Sequence, residues 1–156
     1  MSRLCNLLLR AASEADRRFA YEAKRAALGP HVARVWGWDE DFQQQFHTRD
    51  WAVRRPEIVV VDGVDVGTVQ FVRREADYHI GELYLLPEYQ RRGIGSQLLG
   101  RLLSVADDEA LPVRLEVIKI NPARRLYERN GFQVCGETET HFLMVRSPAP
   151  GGVQPA

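Results

Sequence analysis

The chain has 156 residues, 45% of them apolar and 27% charged, the composition of a soluble globular protein about one domain in size. Its 21 basic residues balance 21 acidic ones, so bulk charge points to no nucleic-acid partner and no membrane surface. Cys5 and Cys135 lie far apart and fit no metal-ligand spacing, so no metal site is expected and both read as reduced thiols of a cytoplasmic protein.

Leu4 to Leu9 reads as a first, largely buried strand; Arg10 ends the leucine run too early for a signal peptide or a membrane span. Ser13 is a good N-cap, with Asp16 three residues on in the manner of a capping box. Phe19, Ala20, Ala23, Ala26, Ala27 and Leu28 then recur at helical spacing, and Gly29-Pro30 is expected to stop that helix. A second helix should start after Trp38, capped by Asp39, with Phe42 and Phe46 on one face. Ile58 to Val61 and Val64 to Arg73 read as strands joined by an Asp62-Gly63 hairpin turn. A third strand covers Tyr78 to Leu86, and Pro87 ends its ladder by removing a donor.

A long helix follows from Ile94, with Leu98, Leu99, Leu102, Leu103 and Ala106 on its apolar face, until Leu111-Pro112 breaks it. Val113 to Ile120 alternates like a buried strand. Asn121 caps a short helix with Pro122 in its first turn, and Asn130-Gly131 is a glycine stop. Phe132 to Cys135 and His141 to Val145 read as two last strands. The prolines and glycines after Ser147 predict a disordered tail, leaving one folded domain over 1–147 and a tail over 148–156.

Within this order the stretch Gln90-Arg91-Arg92-Gly93-Ile94-Gly95 joins a strand to a helix through two glycines. The N–H groups of a helix start, with the positive end of its dipole, make a phosphate site. A dinucleotide fold is excluded, because no Gly-x-Gly-x-x-Gly spacing occurs and hairpin-linked strands precede the glycines. A P-loop is excluded because no Gly-Lys-Ser/Thr follows.

A second pattern, Asn121-Pro122-Ala123-Arg124-Arg125-Leu126-Tyr127-Glu128-Arg129-Asn130-Gly131-Phe132, follows the first. As a pair the two resemble the GNAT superfamily of acetyl-CoA-dependent N-acetyltransferases, over residues 56–146 and most strongly over 79–132. The resemblance implies an α/β fold of the α+β kind: a mixed, mostly antiparallel central sheet of six to seven strands with helices on both faces and splayed strands at the cofactor site. It implies acetyl-CoA (coenzyme A) as cofactor. Its pyrophosphate would be wrapped by the backbone of Gln90, Arg91, Arg92, Gly93, Ile94, Gly95 and Ser96. Its pantetheine arm would lie along a strand, Gly81 to Leu86, that splays from Val113 to Ile120. That gives Leu83, Tyr84, Leu85, Asn121, Arg124 and Tyr127 as further cofactor contacts.

Direct acetyl transfer to a primary amine needs a neutral nucleophile, an oxyanion donor and a proton for the leaving thiolate. Tyr127 is the candidate acid, and N–H groups near Leu85 are candidates for the oxyanion role. Glu82 is the preferred base. His79, Glu116 and Glu22 stay open as alternatives, and period-2 alternation puts Glu82 and His79 on opposite faces of their strand. On the acceptor side Glu22, Trp36 and Trp38 are candidates; the tryptophans read equally as a plug over the sheet. The acceptor is a small-molecule or peptide amine that the sequence does not choose. Other readings are a non-catalytic CoA-binding sensor or regulatory domain and an enzyme using a longer acyl-CoA. Members of this superfamily are often homodimers, on which no residue pattern here bears.

Overall fold

A computed structural model describes residues 6–149. Its elements in order are β1 (Leu7–Ala11), α1 (Arg17–Val35), α2 (Glu40–Val53), β2 (Glu57–Val61), β3 (Val64–Arg73), β4 (Tyr78–Leu85), α3 (Ile94–Asp108), β5 (Val113–Ile118), α4 (Ala123–Arg129), β6 (Gln133–Glu137) and β7 (His141–Arg146). The strands form one seven-stranded sheet in the order β1-β2-β3-β4-β5-β7-β6. β1/β2, β2/β3, β5/β7 and β6/β7 are antiparallel, and β4/β5 is parallel. The mixed, mostly antiparallel sheet and the element order agree with the sequence expectation.

By packing the chain divides into two compact units, Met1–Gln70 with Glu82–Arg92 and Phe71–Gly81 with Gly93–Ala156. In the first unit β1 and β2 pair in register from Leu7/Val61 to Ala11/Glu57. Asp62 and Gly63, both at positive φ, turn β2 into β3 as the Asp-Gly signal requires. Leu7, Ile58, Val59, Val66 and Val69 are fully buried here. The β2/β3 register shifts between Val59 and Val60. In the second unit Leu98, Leu99, Leu102, Leu103 and Ala106 of α3 are buried, as are Val113, Leu115, Val117 and Met144 of β5 and β7.

Several boundaries differ from the sequence expectation. β1 runs from Leu7 to Ala11; Leu4 and Cys5 lie outside the described residues, as does the expected tail from Pro150 onward. Ala149 N–H still donates to Asp107, at 3.0 Å. Helix α1 passes through Gly29-Pro30 to Val35. Proline normally clashes with the Cβ of the residue before it, and Gly29 has none. Gly29 is also buried in the first unit, with Trp38 carbons 3.7 Å from where a Cβ would stand. β5 ends at Ile118 rather than Ile120, because Asn121 N–H turns back onto the Ile118 carbonyl at 2.9 Å. Asn121 Oδ1 accepts from Ala123 N at 2.9 Å and so caps α4, as expected.

The tightest backbone approach is at Gly67 on β3. A Cβ there would stand 2.1 Å from the Tyr84 carbonyl oxygen and 3.1 Å from Leu85 Cα. Real side chains do not come so close, and backbone on both sides must move to admit one. Gly67→Ala should therefore lower stability by about 1–3 kcal/mol, the usual penalty of overpacking. Urea denaturation checks this, and an unchanged midpoint would refute the close approach.

Candidate cofactor and catalytic site

The strand-to-helix connection keeps the order read from the sequence. A 3-10 turn, Pro87–Tyr89, follows β4, and α3 begins at Ile94. Between them Arg91 stands at φ 62 and Gly93 at φ 80, both left-handed. Arg91, Arg92, Gly93 and Ser96 are exposed, while Ile94 and Gly95 are buried. Gly93 is the N-cap residue and no side chain caps the helix. The first N–H groups of α3 have no intrahelical acceptor and lie at the positive end of its dipole. Beyond its own neighbours along the chain, no described atom lies within 4 Å of where a Gly93 Cβ would stand. The loop thus presents donors, positive potential and open space, which fit a pyrophosphate. Gln90 reaches back to the end of β4, with Nε2 donating to the Leu85 carbonyl at 2.9 Å. That bond ties the loop to its strand. Arg92 lies over the Tyr89 ring, 5.2 Å from the centroid.

The β4/β5 ladder consists of two pairs, Tyr78/Val113 and His79/Arg114. Leu86 N–H donates to the Val66 carbonyl at 2.9 Å, which seats the end of β4 on β3.

Glu82 sits on β4 next to the close approach at Gly67. Its Oε2 accepts from Thr68 Oγ1 at 2.8 Å. Thr68 is wholly buried and is the one buried polar side chain among the described residues. Burial raises the Glu82 carboxyl above the ordinary range; the Thr68 bond and the Lys24 ammonium partly offset this, and Asp50 adds to it. A base whose proton affinity is lifted toward neutral pH suits general-base work. His79 has another partner, Glu116 Oε2 at 3.2 Å, so it and Glu116 form a surface pair on β4 and β5.

Tyr127 is buried on α4, edge-on to Phe132 with ring centroids 5.7 Å apart. Burial pushes its phenol up to about 12. Asn121 caps that helix. Arg124 pairs with Glu128 at 3.1 Å and lies 4.3 Å from the Phe142 ring centroid.

On the acceptor side the residues separate. Glu22 is exposed and pairs with Arg18 at 3.6 Å. Trp36 is exposed at the C-cap of α1. Trp38 packs 6.4 Å from Tyr21, and its Nε1 donates to Glu40 at 3.1 Å. Tyr21 donates to the same carboxylate at 2.6 Å, so Trp38, Tyr21 and Glu40 form one cluster of α1 and α2. A cavity of about 440 Å³ lies in the first unit, lined by Tyr21, Glu22, Arg25, Glu40 and His47 among others. Sequence reasoning missed Thr68 and Lys24. A threonine in a β-branched run carries no signal of its own, and its link to Glu82 needs the β3/β4 pairing.

The sequence matches the family described as the Acetyltransferase (GNAT) domain over residues 54–134, more than half the chain. No curated protein matches the sequence. Many solved structures share the fold. The PaiA N-acetyltransferase of Thermoplasma acidophilum in complex with coenzyme A is 19% identical, with a TM-score of 0.72 over 91% of this chain and 99% of that one. Ard1 of Thermoplasma volcanium is 22% identical, with a TM-score of 0.66 over 92% and 98% of the two chains. The ribosomal-protein-S18-alanine N-acetyltransferase of Escherichia coli is 18% identical, with a TM-score of 0.66 over 92% and 94%.

The raised Glu82 carboxyl links to stability with a definite sign. Its folded proton affinity exceeds the unfolded one, so the protonated form stabilises the fold at acid pH and that contribution is lost as pH rises through the folded value. Glu82→Gln should raise Tm at pH 7, and the gain should shrink toward pH 4. Thermal melts across pH check it; a Tm lowered equally at both pH values would overturn the desolvation account.

Proposed function

The chain belongs to the GNAT acetyltransferase family and is an acyltransferase that draws on acetyl-CoA, and we propose that it moves the acetyl group directly to a primary amine of a small molecule or peptide. The observation that carries this reading is the uncapped α3 start behind Gly93, joined by Gln90 to the end of β4. One neighbour in fold, PaiA, is in complex with coenzyme A. Bound acetyl-CoA supplies an acyl group activated as a thioester. The chain's residues bind, orient and handle protons. The N–H groups of Gly93 to Ser96 hold the pyrophosphate, and each charge-assisted bond contributes about 1.5–3 kcal/mol. Arg91 and Arg92 are exposed and add charge beside it. Asn121, Arg124 and backbone groups of Leu83 to Leu85 complete the cofactor contacts, and an N–H near Leu85 serves the developing oxyanion.

An acceptor amine arrives as ammonium, with pKa near about 10, and must lose a proton before it can attack. Glu82 takes that proton. Its raised proton affinity narrows the gap to the amine, and Thr68 holds one carboxylate oxygen so that the other faces the acceptor. Tyr127 gives the proton to the departing sulfur. Its phenol stays protonated throughout the neutral range, and burial that raises a phenol also raises a thiolate's demand for a proton. No step needs an acyl-enzyme: Cys135 is exposed on β6 and its Sγ contacts the Leu143 carbonyl at 3.4 Å. No described helix is long and apolar enough to cross a membrane. Cys135 is a free thiol, and on its reduced cysteines we read the enzyme as cytoplasmic.

An aspartate at position 93 puts a carboxylate against the pyrophosphate. Gly93→Asp should weaken coenzyme A binding by about 10²-fold, since like charges placed together cost several kcal/mol. Calorimetry reads this, and unchanged binding would remove the loop from the cofactor site. An acceptor screen with acetyl-CoA, following thiol release over polyamines, amino acids and peptides, identifies the amine. With that amine, Glu82→Gln should lower kcat/KM by roughly 10²–10⁴-fold and Tyr127→Phe should lower kcat. Undiminished turnover in either variant would remove that residue from its role.

A further inference from the structure

The cavity of about 440 Å³ between α1 and α2 lies wholly in the first unit, and the acetyl-transfer reading leaves it without a role. Two helical rows line it. Arg17, Tyr21 and Arg25 recur every fourth residue along α1, and Glu40, Gln44 and Thr48 do so along α2. The rows run against each other, so the two ends of the cavity differ. At one end Arg25 Nε lies 3.6 Å from Glu40, which also accepts from Tyr21, Trp38 and Gln44. At the other end His47 Nε2 lies 3.0 Å from the Arg17 carbonyl, and the α2 row offers Thr48, whose hydroxyl has no partner among the described residues. Arg18 and Glu22, also in the lining, pair with each other at 3.6 Å.

The Arg17 end is short of one negative charge. The carboxylate paired with the Arg17 side chain is Glu14, at 3.7 Å, and Glu14 is shared with Arg55 at 3.5 Å. Both separations exceed a hydrogen bond. Arg55 lies over the Trp51 ring, which in turn stands 5.7 Å from the His47 ring. Elsewhere in the chain arginines are firmly held: Arg10, Arg74 and Arg146 each grip a carboxylate through two nitrogens, at 2.5–3.1 Å. A guanidinium with its fork unused, opposite a free hydroxyl, matches the two oxygens of a carboxylate or phosphate. We propose that the Arg17 end of this cavity binds the oxyanion group, carboxylate or phosphate, of a small molecule, which joins Arg17 on α1 to Thr48 on α2. His47 stands beside that anion, with the Tyr21 ring edge-on to it at 5.3 Å. Burial, helped by the charges of Lys24 and Arg17, holds His47 below its ordinary range, against the Arg17 carbonyl bond and Asp50. An anion at Arg17 offsets part of that repulsion. Binding therefore draws a proton onto His47 and tightens as pH falls.

An NMR titration of the full chain with sulfate tests this, with ionic strength held constant by chloride. Sulfate keeps its charge across the pH range used. The expected result is saturable shifts of the His47 ring and Thr48 amide signals, with several-fold higher affinity at pH 5 than at pH 8. Arg17→Gln should weaken binding by about tenfold, the loss of one charge-assisted bond. Arg49→Gln, on α2 but outside this cavity, should leave it unchanged. Succinate in place of sulfate at pH 8 assigns the source: tighter succinate supports a carboxylate ligand, tighter sulfate a phosphate ester. Shifts that grow without saturating, an equal response to chloride alone, equal weakening in the two arginine variants, or an affinity that does not change with pH would overturn the proposal.

Discussion

The carbonyl of Tyr84 lies where a side chain at position 67 would begin, and the arrangement of the first unit depends on that approach. Because β3 has only hydrogen at that point, the end of β4 can settle onto it. Next to the contact Thr68 meets Glu82, and beyond it Leu86 N–H reaches the Val66 carbonyl. The Leu85 carbonyl accepts Gln90, which fixes where the loop leaves the strand. A glycine that reads as a weak spot in a strand is here what lets Glu82 and the departure of the Gln90 loop share one strand end.

Burial acts in one direction on both groups proposed for proton transfer. It raises the Glu82 carboxyl and the Tyr127 phenol, yet the outcomes differ because their ordinary values differ. The carboxyl is brought closer to neutrality, where it can exchange a proton. The phenol is moved further from it, where it keeps one. The same desolvation therefore separates the proton affinities that the proposed base and the proposed acid need.

Much of this was legible in the sequence. The hairpin at Asp62-Gly63, the α3 start at Gly93 and the Asn121 cap follow from local backbone chemistry, which acts within a few residues. The Gly29-Pro30 expectation failed where a local rule, that proline breaks a helix, met a buried glycine that offers no Cβ to the proline ring and lies close to the Trp38 ring. Thr68 and Lys24 were illegible for a different reason. Their significance lies in what stands across from them on another strand or helix, and a single sequence carries no pairing. The two tryptophans read alike in the sequence, and the structure separates their surroundings: Trp38 Nε1 is bonded to Glu40, while Trp36 is exposed.

Strand β7 enters the sheet between β5 and β6, pairing with β5 from Val113/Arg146 to Ile118/His141 and with β6 on its other side. During synthesis the chain delivers β5 and β6 first, and neither can pair with the other. The free edge of β5 therefore waits for β7 to leave the ribosome. Until then a nascent chain carries an apolar strand, with Leu115 and Val117 on it, that has one side unmatched, an open invitation to wrong partners. A ribosome stalled or a message truncated a few codons before His141 would thus release a chain fit for degradation rather than a weakened enzyme.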